Sequence, residues 1–189
     1  ANGEGIWIGT SDGLSRFEDG KLATWTKADG LSDDTIVTLA ADGDGAILIG
    51  YATGLDRVVF RRNERAITIE HIDGLPVDQV TALRRDRDQN LWIGTYSNGI
   101  FRRQGKRIES FGIGDGLLNP TVRTIFEDDE GSLWIGTNGG LEELRAGAFV
   151  NWNQKDGLTD AVARVIFEDR HGVLWVGTAN SLSRWNGRA

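Results

Sequence analysis

The sequence contains no cysteine and no methionine, and it has only 2 proline and 2 histidine residues among 189. Without cysteine it has neither a disulfide framework nor thiolate chemistry, which fits an oxidising compartment without requiring one. No apolar run approaches the roughly 18 residues of a membrane-spanning helix. Imidazole bases are limited to His71 and His171, and no phosphate loop or Gly-x-Ser-x-Gly elbow occurs. We therefore expect no catalytic residue, no metal site and no cofactor.

An excess of basic charge is also missing. The formal net charge is -7, and the basic residues are scattered among acids, which argues against a nucleic-acid partner. The first residues, "ANGEGIW", have neither the basic region nor the apolar core of a signal peptide, so any export signal is expected outside this chain. The chain also begins without Met and within a repeat, which we interpret as a processed or excised piece.

Glycine and tryptophan, by contrast, are abundant, with 26 and 7 residues. This mixture is typical of many short strands joined by tight turns and predicts an all-β chain. One phrase occurs five times, as "IWIGTSDGL", "ILIGYATGL", "LWIGTYSNGI", "LWIGTNGGL" and "LWVGTANSL". Its anchor residues are 41, 44, 42 and 41 residues apart, at Trp7, Leu48, Trp92, Trp134 and Trp175. A period in the low forties indicates propeller blades with one four-stranded sheet per repeat.

Two further phrases recur between the anchors. Asp-Gly-Leu starts at Asp29, Asp73, Asp115 and Asp156, and an acidic turn starts six residues before four of the anchors, at Asp42, Asp86, Asp128 and Asp169. One unit is therefore predicted to have strand A over 121–127, strand B over 133–137, strand C over 141–144 and strand D over 149–153. The short connections are typical of an antiparallel meander.

The predicted fold is a single all-β domain over 1–189, a β-propeller of four-stranded antiparallel blades with about four and a half repeats of roughly 42 residues. The blades are placed at about 1–28, 29–72, 73–114, 115–155 and 156–189, the last one partial. The first repeat lacks strand A and the last lacks strand D. Four-bladed closure, membership of a larger ring and homo-oligomerisation through unpaired edge strands all remain open.

These phrases resemble the two-component regulator propeller repeat, in which Leu-Trp-Ile-Gly-Thr is followed by Gly-Leu and then Asp-Gly-Leu. The resemblance covers essentially the whole chain, with departures at Leu48, Tyr51, Gln89 and Ser181. It implies a periplasmic or otherwise extracytoplasmic sensor fragment of a hybrid histidine kinase or a membrane-bound diguanylate cyclase. The expected partner is the signalling output domain of that receptor, outside this chain.

Residues present in every repeat are interpreted as architecture, because a ligand would meet the blades unequally. The anchor Trp is expected in the core, and the Gly two residues later is expected to lie under an aromatic ring of a neighbouring strand. The Asp of Asp-Gly-Leu is expected to accept backbone N–H bonds while its Gly takes a positive φ. A calcium site at "DRDQN" is disfavoured because Leu91 stands where the loop requires Gly.

Function is expected where the repeats differ, on the propeller face that carries the loops after strands B and D. The third repeat has one extra residue in its loop, and the two arginines of strand A can offer donors to an anion. An ion pair with the next blade is the structural alternative for these arginines. The candidate ligand residues, for a small molecule or oligosaccharide, are Tyr51, Tyr96, Ser97, Asn98, Asn119, Asn138, Asn180, Arg123 and Arg164.

Three functions follow from these features. The first is a non-catalytic propeller that senses a ligand and passes binding to a signalling partner. The second is a structural or protein-interaction scaffold that binds no small molecule. The third is an enzyme similar to the streptogramin lyases, which would depend on His71 or His171.

Overall fold

The computed structural model describes residues 5–61, 66–75, 78–145 and 147–185, except for the side chain of Asp44. The outer limits predicted for the first and last blades, at 1–4 and 186–189, lie outside the described residues. In the described part the only helices are four single turns of 3-10 helix. Eighteen strands form five antiparallel sheets, three with four strands and two with three. The predicted all-β class is confirmed.

The chain divides into two compact units, residues 1–80 and 81–189. Unit 1 contains sheets 1 and 2, each a meander of adjacent strands. Sheet 1 consists of β1 (Ile6–Thr10), β2 (Gly13–Glu18) and β3 (Lys21–Trp25). Sheet 2 consists of β4 (Thr38–Ala41), β5 (Ile47–Tyr51), β6 (Gly54–Arg61) and β7 (Ala66–His71).

Unit 2 contains three further meanders, of which sheet 3 begins at the unit boundary. Sheet 3 consists of β8 (Val80–Arg85), β9 (Leu91–Thr95), β10 (Ile100–Gln104) and β11 (Arg107–Phe111). Sheet 4 consists of β12 (Val122–Glu127), β13 (Leu133–Thr137), β14 (Leu141–Arg145) and β15 (Ala148–Trp152). Sheet 5 consists of β16 (Ala163–Glu168), β17 (Leu174–Thr178) and β18 (Leu182–Arg184). The strands predicted for sheet 4 agree to within one residue at each end.

Three of the four Asp-Gly-Leu phrases form the predicted tight turn. Asp29 Oδ2 accepts the N–H of Thr26 at 2.8 Å, and Gly30 has φ 107°. Asp115 and Asp156 accept the equivalent backbone N–H groups at 2.8 and 3.0 Å. Because only glycine takes such a φ without steric cost, the phrase is a requirement of the chain path.

The acidic turn has a role that the sequence did not reveal. Asp128 Oδ2 accepts the indole Nε1–H of Trp134 at 2.7 Å while its Oδ1 accepts the backbone N–H of Ser132. The same bond joins Asp86 to Trp92 at 2.7 Å and Asp169 to Trp175 at 2.9 Å. The six-residue spacing therefore holds the one polar atom of each of these tryptophans in a satisfied hydrogen bond.

Sheet 2 tests this reading, because its anchor is Leu48 and carries no indole. There Asp42 Oδ2 accepts a hydrogen bond from Arg57 Nε at 2.6 Å. Arg57 is the residue paired with Leu48 across β5 and β6. The carboxylate is thus hydrogen-bonded in all four acidic turns, and its donor changes with the anchor residue.

The glycine two residues after each anchor lies against the methyl group of a neighbouring side chain, so the prediction of an aromatic ring there is wrong. A Cβ at Gly136 would meet Thr124 Cγ2 at 2.6 Å and the carbonyl oxygen of Ala163 at 2.7 Å. At Gly94 it would meet Val122 Cγ1 at 2.5 Å. Strand A of the following sheet approaches the backbone so closely that no side chain fits.

Aromatic side chains fill the space beside the anchors in both units. In unit 1, Trp7 lies 5.8 Å from Trp25 and 5.9 Å from Phe60, measured between ring centroids. In unit 2 the equivalent rings are Trp92 with Phe111 and Phe149, and Trp134 with Trp152 and Trp185. Trp92 and Trp134 are 3% and 5% exposed, so the prediction of core packing is confirmed for these two anchors.

Candidate functional site

Three of the candidate ligand residues contact one another in unit 2. Arg123, on β12, donates from Nε to Asn138 Oδ1 at 2.8 Å, and its guanidinium carbon lies 5.7 Å from the centroid of the Tyr96 ring. Tyr96 is 49% exposed and Arg123 is exposed. Within the described residues Arg123 has no carboxylate partner, unlike the ion pair expected as the structural alternative. We name Tyr96, Arg123 and Asn138 the Tyr96 cluster.

The loop that carries Tyr96 is anchored by the hydroxyl of a buried threonine. Thr95 Oγ1 donates to the carbonyl oxygen of Gly99 at 2.9 Å and accepts the N–H of Asn98 at 3.0 Å. Tyr96, Ser97 and Asn98 are all exposed, while Thr95 and Gly99 are buried. The threonine of the repeated phrase thus anchors a loop whose three exposed residues vary between repeats.

The remaining candidate residues in unit 2 contact other partners and do not join this cluster. Asn119 Oδ1 caps the N–H of Thr121 at 2.9 Å, and Asn180 Nδ2 donates to Asp160 Oδ2 at 3.0 Å. Arg164 is exposed and, in the part of the chain that is described, makes no hydrogen bond or ion pair. Asn119 therefore has a local structural role, and Arg164 is available to an anion.

Tyr51 has to be removed from the candidate surface, because it is fully buried in unit 1. Its hydroxyl donates to Asp56 Oδ2 at 2.9 Å. Burial raises the pKa of the phenol far above its ordinary value, and the nearby Asp56 carboxylate raises it further. Tyr51 ends β5, at the position where the other repeats have threonine. Its side chain points into the core and not toward the loop face.

Asp56 is the centre of a cluster that sequence reasoning missed. It is fully buried, and besides Tyr51 it accepts the backbone N–H of Ser32 at 2.9 Å and the Ser32 hydroxyl at 2.6 Å. His71 Nδ1 lies 2.8 Å from Asp56 Oδ1. A carboxylate only accepts, so Nδ1 carries the proton and Nε2 of the neutral ring is an acceptor. His71 is 56% exposed and lines a pocket of about 180 Å³.

Sheet 4 has a buried acid at the position of Asp56. Glu142 is fully buried, and its Oε1 accepts the hydroxyl of Thr137 at 2.8 Å. Its Oε2 has no hydrogen-bond partner among the described residues. Burial raises the pKa of Glu142 from 4.5 to about 7, against the opposing effect of the Thr137 hydroxyl and the nearby Leu118 backbone.

His171, the second histidine, lies in the exposed acidic turn of sheet 5. Its backbone N–H donates to Asp169 at 2.8 Å. The indole N–H of Trp175 donates to Asp169 and is the larger cause of a pKa below the ordinary value of this carboxyl. The bond from the His171 backbone lowers the pKa further. Across the described residues, no group of three or more His, Asp or Glu is arranged to hold a metal ion.

Comparison with known families identifies the repeats. The model of the two component regulator propeller family matches residues 74–97, 116–139 and 157–180. Each match runs from the glycine of Asp-Gly-Leu to the loop after the second strand of the next sheet. The resemblance inferred from the sequence is thus confirmed. No curated protein sequence matches the chain.

Solved structures show the same fold. The extracellular domain of BT4673 from B. thetaiotaomicron, described as a hybrid two component system, is 22% identical with a TM-score of 0.79, over 97% of this chain and 26% of that chain. The extracellular domain of BT3049 from the same organism is 19% identical with a TM-score of 0.61, over 97% and 31%. This chain therefore spans about a quarter to a third of those proteins, and the predicted β-propeller class is confirmed.

The fold is also found in an enzyme. Virginiamycin B lyase from Staphylococcus aureus is 14% identical with a TM-score of 0.74, over 99% of this chain and 64% of that chain. Identity this low shows a common fold and carries no activity with it. Within the described residues there is no helix long and apolar enough to cross a membrane.

Proposed function

Three repeats of this chain match the two component regulator propeller family, and from that premise we propose that it is a non-catalytic, ligand-sensing part of a bacterial signal-transduction receptor. The propeller is periplasmic or otherwise extracytoplasmic. It transmits the signal of ligand binding to the output domain of the receptor. Its ligand is a small molecule or a glycan. The extracellular domains with the same fold support this location and role.

The Tyr96 cluster is the observation that carries the proposal. An exposed ring, a guanidinium and a side-chain amide meet within hydrogen-bonding and stacking range. Only one of the five donors of Arg123 is used within the described residues. The buried threonines at the base of the two loops accept the N–H groups of Asn98 and Gly139, next to the loop positions of the cluster.

The chemistry of the cluster favours an acidic sugar. The ring of Tyr96 offers an apolar face against which a pyranose stacks, and its hydroxyl and the Asn138 amide serve sugar hydroxyls. The remaining donors of Arg123 form a fork that matches a carboxylate. Arg164 occupies the position of Arg123 in the next sheet and offers a second guanidinium.

A thermal-shift screen tests this function. The panel contains neutral oligosaccharides, oligosaccharides of galacturonic acid, and small carboxylate and phosphate anions. We expect the acidic sugars to raise the melting temperature of the wild-type protein and the Tyr96→Ala and Arg123→Ala variants to lose that rise. Arg170→Ala is the matched control, because Arg170 is an exposed arginine in the turn after β16.

Silence across the panel would instead support the second function, a scaffold that binds no small molecule. A shift that Tyr96→Ala and Arg123→Ala leave intact would show sensing by another surface. Both outcomes contradict the assignment of the Tyr96 cluster.

One observation favours the catalytic alternative. The Asp56 carboxylate orients the His71 ring, which lines the pocket, and leaves Nε2 as its proton acceptor. A lyase would require turnover of a streptogramin that His71→Ala abolishes and His171→Ala does not. We expect no turnover by the wild-type protein.

A further inference from the structure

The residue paired with the anchor across the second and third strands is an arginine in four sheets. Strand register places Arg16 opposite Trp7, Arg57 opposite Leu48, Arg102 opposite Trp92 and Arg184 opposite Trp175. In sheet 4 the residue opposite Trp134 is Glu143. The charge at this position is thus inverted in a single sheet.

Where tryptophan and arginine face each other beside a group of three rings, the guanidinium lies over the rings. The guanidinium carbon of Arg16 is 4.1 Å from the centroid of Phe60 and 5.4 Å from that of Trp7. That of Arg102 is 5.6 Å from Trp92 and 5.8 Å from Phe111. Each arginine also pairs with a carboxylate, Glu18 or Glu109. In sheets 1 and 3, aromatic faces and a carboxylate therefore form a binding site for one guanidinium, which we call a seat.

Sheet 4 has the aromatic part of this seat without its cation. Trp134 and Trp152 stack at 5.4 Å, and Trp185 lies 4.7 Å from Trp152. Among the described residues no guanidinium lies over these three rings. We name Trp134, Trp152, Trp185 and Glu143 the indole seat.

A pocket of about 540 Å³ opens at the indole seat and is lined by all four of its residues. Four carboxylates and two guanidinium groups line this pocket, so its fixed charge is negative. The Glu143 side chain is 4% exposed, and Nη2 and Nε of Arg145 contact its Oε1 at 2.6 and 2.8 Å. No described group donates to Oε2. The pocket thus contains a carboxylate with one oxygen left without a donor among the described residues, beside three indole rings.

We propose that the indole seat binds the guanidinium group of an external ligand, in place of the arginine that other repeats supply. The cation contacts the indole rings and donates to Glu143 Oε2. This site differs in residues and in charge from the Tyr96 cluster, which offers donors to an anion. A ligand of this class has the chemistry of arginine, either free or within a peptide.

Titration calorimetry with L-argininamide and L-citrullinamide tests the proposal. Citrulline has the same shape as arginine but a neutral urea group, so the comparison isolates the charge. We expect L-argininamide to bind at least about tenfold more tightly, the size of a partly desolvated cation–π contact with an acid. The tripeptide Gly-Arg-Gly, measured in parallel, distinguishes a free ligand from an arginine within a chain.

Two variants of Glu143 keep the test decisive. Glu143→Arg restores the arginine of the other repeats, and we expect it to fold and to lose argininamide binding because its own guanidinium fills the seat. Glu143→Gln keeps the shape, and we expect it to lose the preference over citrullinamide. Asp88→Asn, which removes a carboxylate at an exposed turn outside the pocket, is the matched control and should bind as the wild type does. Equal binding of the two amides by the wild type, or full binding by a folded Glu143→Arg variant, overturns the proposal.

Discussion

Single side chains in this protein separate into those that serve every repeat and those that serve one. Trp134 is held by Asp128 in an arrangement that Trp92 and Trp175 share. Tyr96 and Arg123, by contrast, meet in a contact of their own. The first kind belongs to the fold, and the second kind is where we place ligand binding.

Replacing Asp128 by Ala leaves the indole N–H of Trp134 without its acceptor. We expect the free energy of unfolding to fall by about 1–3 kcal/mol, the cost of a buried unpaired donor. Urea denaturation followed by tryptophan fluorescence measures it. Asp129→Ala, at the exposed neighbouring position, controls for the turn and should have a far smaller effect. Equal losses in both variants would contradict the role given to Asp128.

Glu142 makes stability depend on pH. Its pKa in the folded protein is about 7 against an ordinary 4.5, so the folded state binds more protons between these values. Stability should therefore decrease as pH rises through this window, by up to about 3 kcal/mol. Glu142→Gln should abolish this decrease and melt at a higher temperature than the wild type at pH 8.

The control for Glu142 is Glu130→Gln, which removes the same charge at an exposed turn. Melting temperatures of the three proteins between pH 4 and pH 8 provide the comparison. A wild-type profile that Glu142→Gln leaves unchanged would show that this carboxyl does not cause the slope.

The elements of unit 2 are joined by contacts that repeat from sheet to sheet. Glu127, at the end of β12, accepts from the backbone and side chain of Arg87 in the preceding turn, and Glu168 accepts the N–H of Asp129 in the same way. Strand A also covers the glycine of the preceding sheet, as Ala163 does at Gly136. Packing of neighbouring sheets therefore depends on a backbone approach as well as on apolar burial.

Gly136→Ala tests this approach. The added methyl would lie 2.6 Å from Thr124 Cγ2 and 2.7 Å from a carbonyl oxygen, so we expect a loss of about 1–3 kcal/mol, and loss of the fold for Gly136→Val. Thermal unfolding measures both. Gly114→Ala is the matched control, because a Cβ there meets no atom within 4 Å. A Gly136→Val variant that melts like the wild type would contradict the close approach.

At the scale of the whole molecule, periodicity alone predicted the fold, because five copies of one strand phrase constrain the pairing of the others. The hydrogen bond from Trp134 to Asp128 was missed, although the constant six-residue spacing was its signal. The burial of Tyr51 and the Asp56–His71 pair were missed, because both depend on how side chains pack around one buried carboxylate. Of the candidate ligand residues, Tyr96, Arg123 and Asn138 meet as one cluster, whose function remains a proposal.

Self-association is expected of this chain, because each unit leaves a strand edge unpaired within the described residues. β1 and β3 are the edge strands of sheet 1, and β16 and β18 are those of sheet 5. Val165, Phe167 and Leu182 of sheet 5 are 52%, 58% and 64% exposed. We expect dimers or larger assemblies in sedimentation velocity at high concentration, and fewer of them for Leu182→Lys. A strict monomer at every concentration would contradict this.

The central claim is that recurring residues build the fold and the Tyr96 cluster binds the ligand. Titration calorimetry of a galacturonic acid tetrasaccharide against three folded proteins tests it most directly. We predict that Asp128→Asn melts at a lower temperature but binds as the wild type does, and that Tyr96→Ala melts as the wild type does but binds about tenfold more weakly. Unchanged binding by Tyr96→Ala, together with lost binding by folded Asp128→Asn, would contradict it.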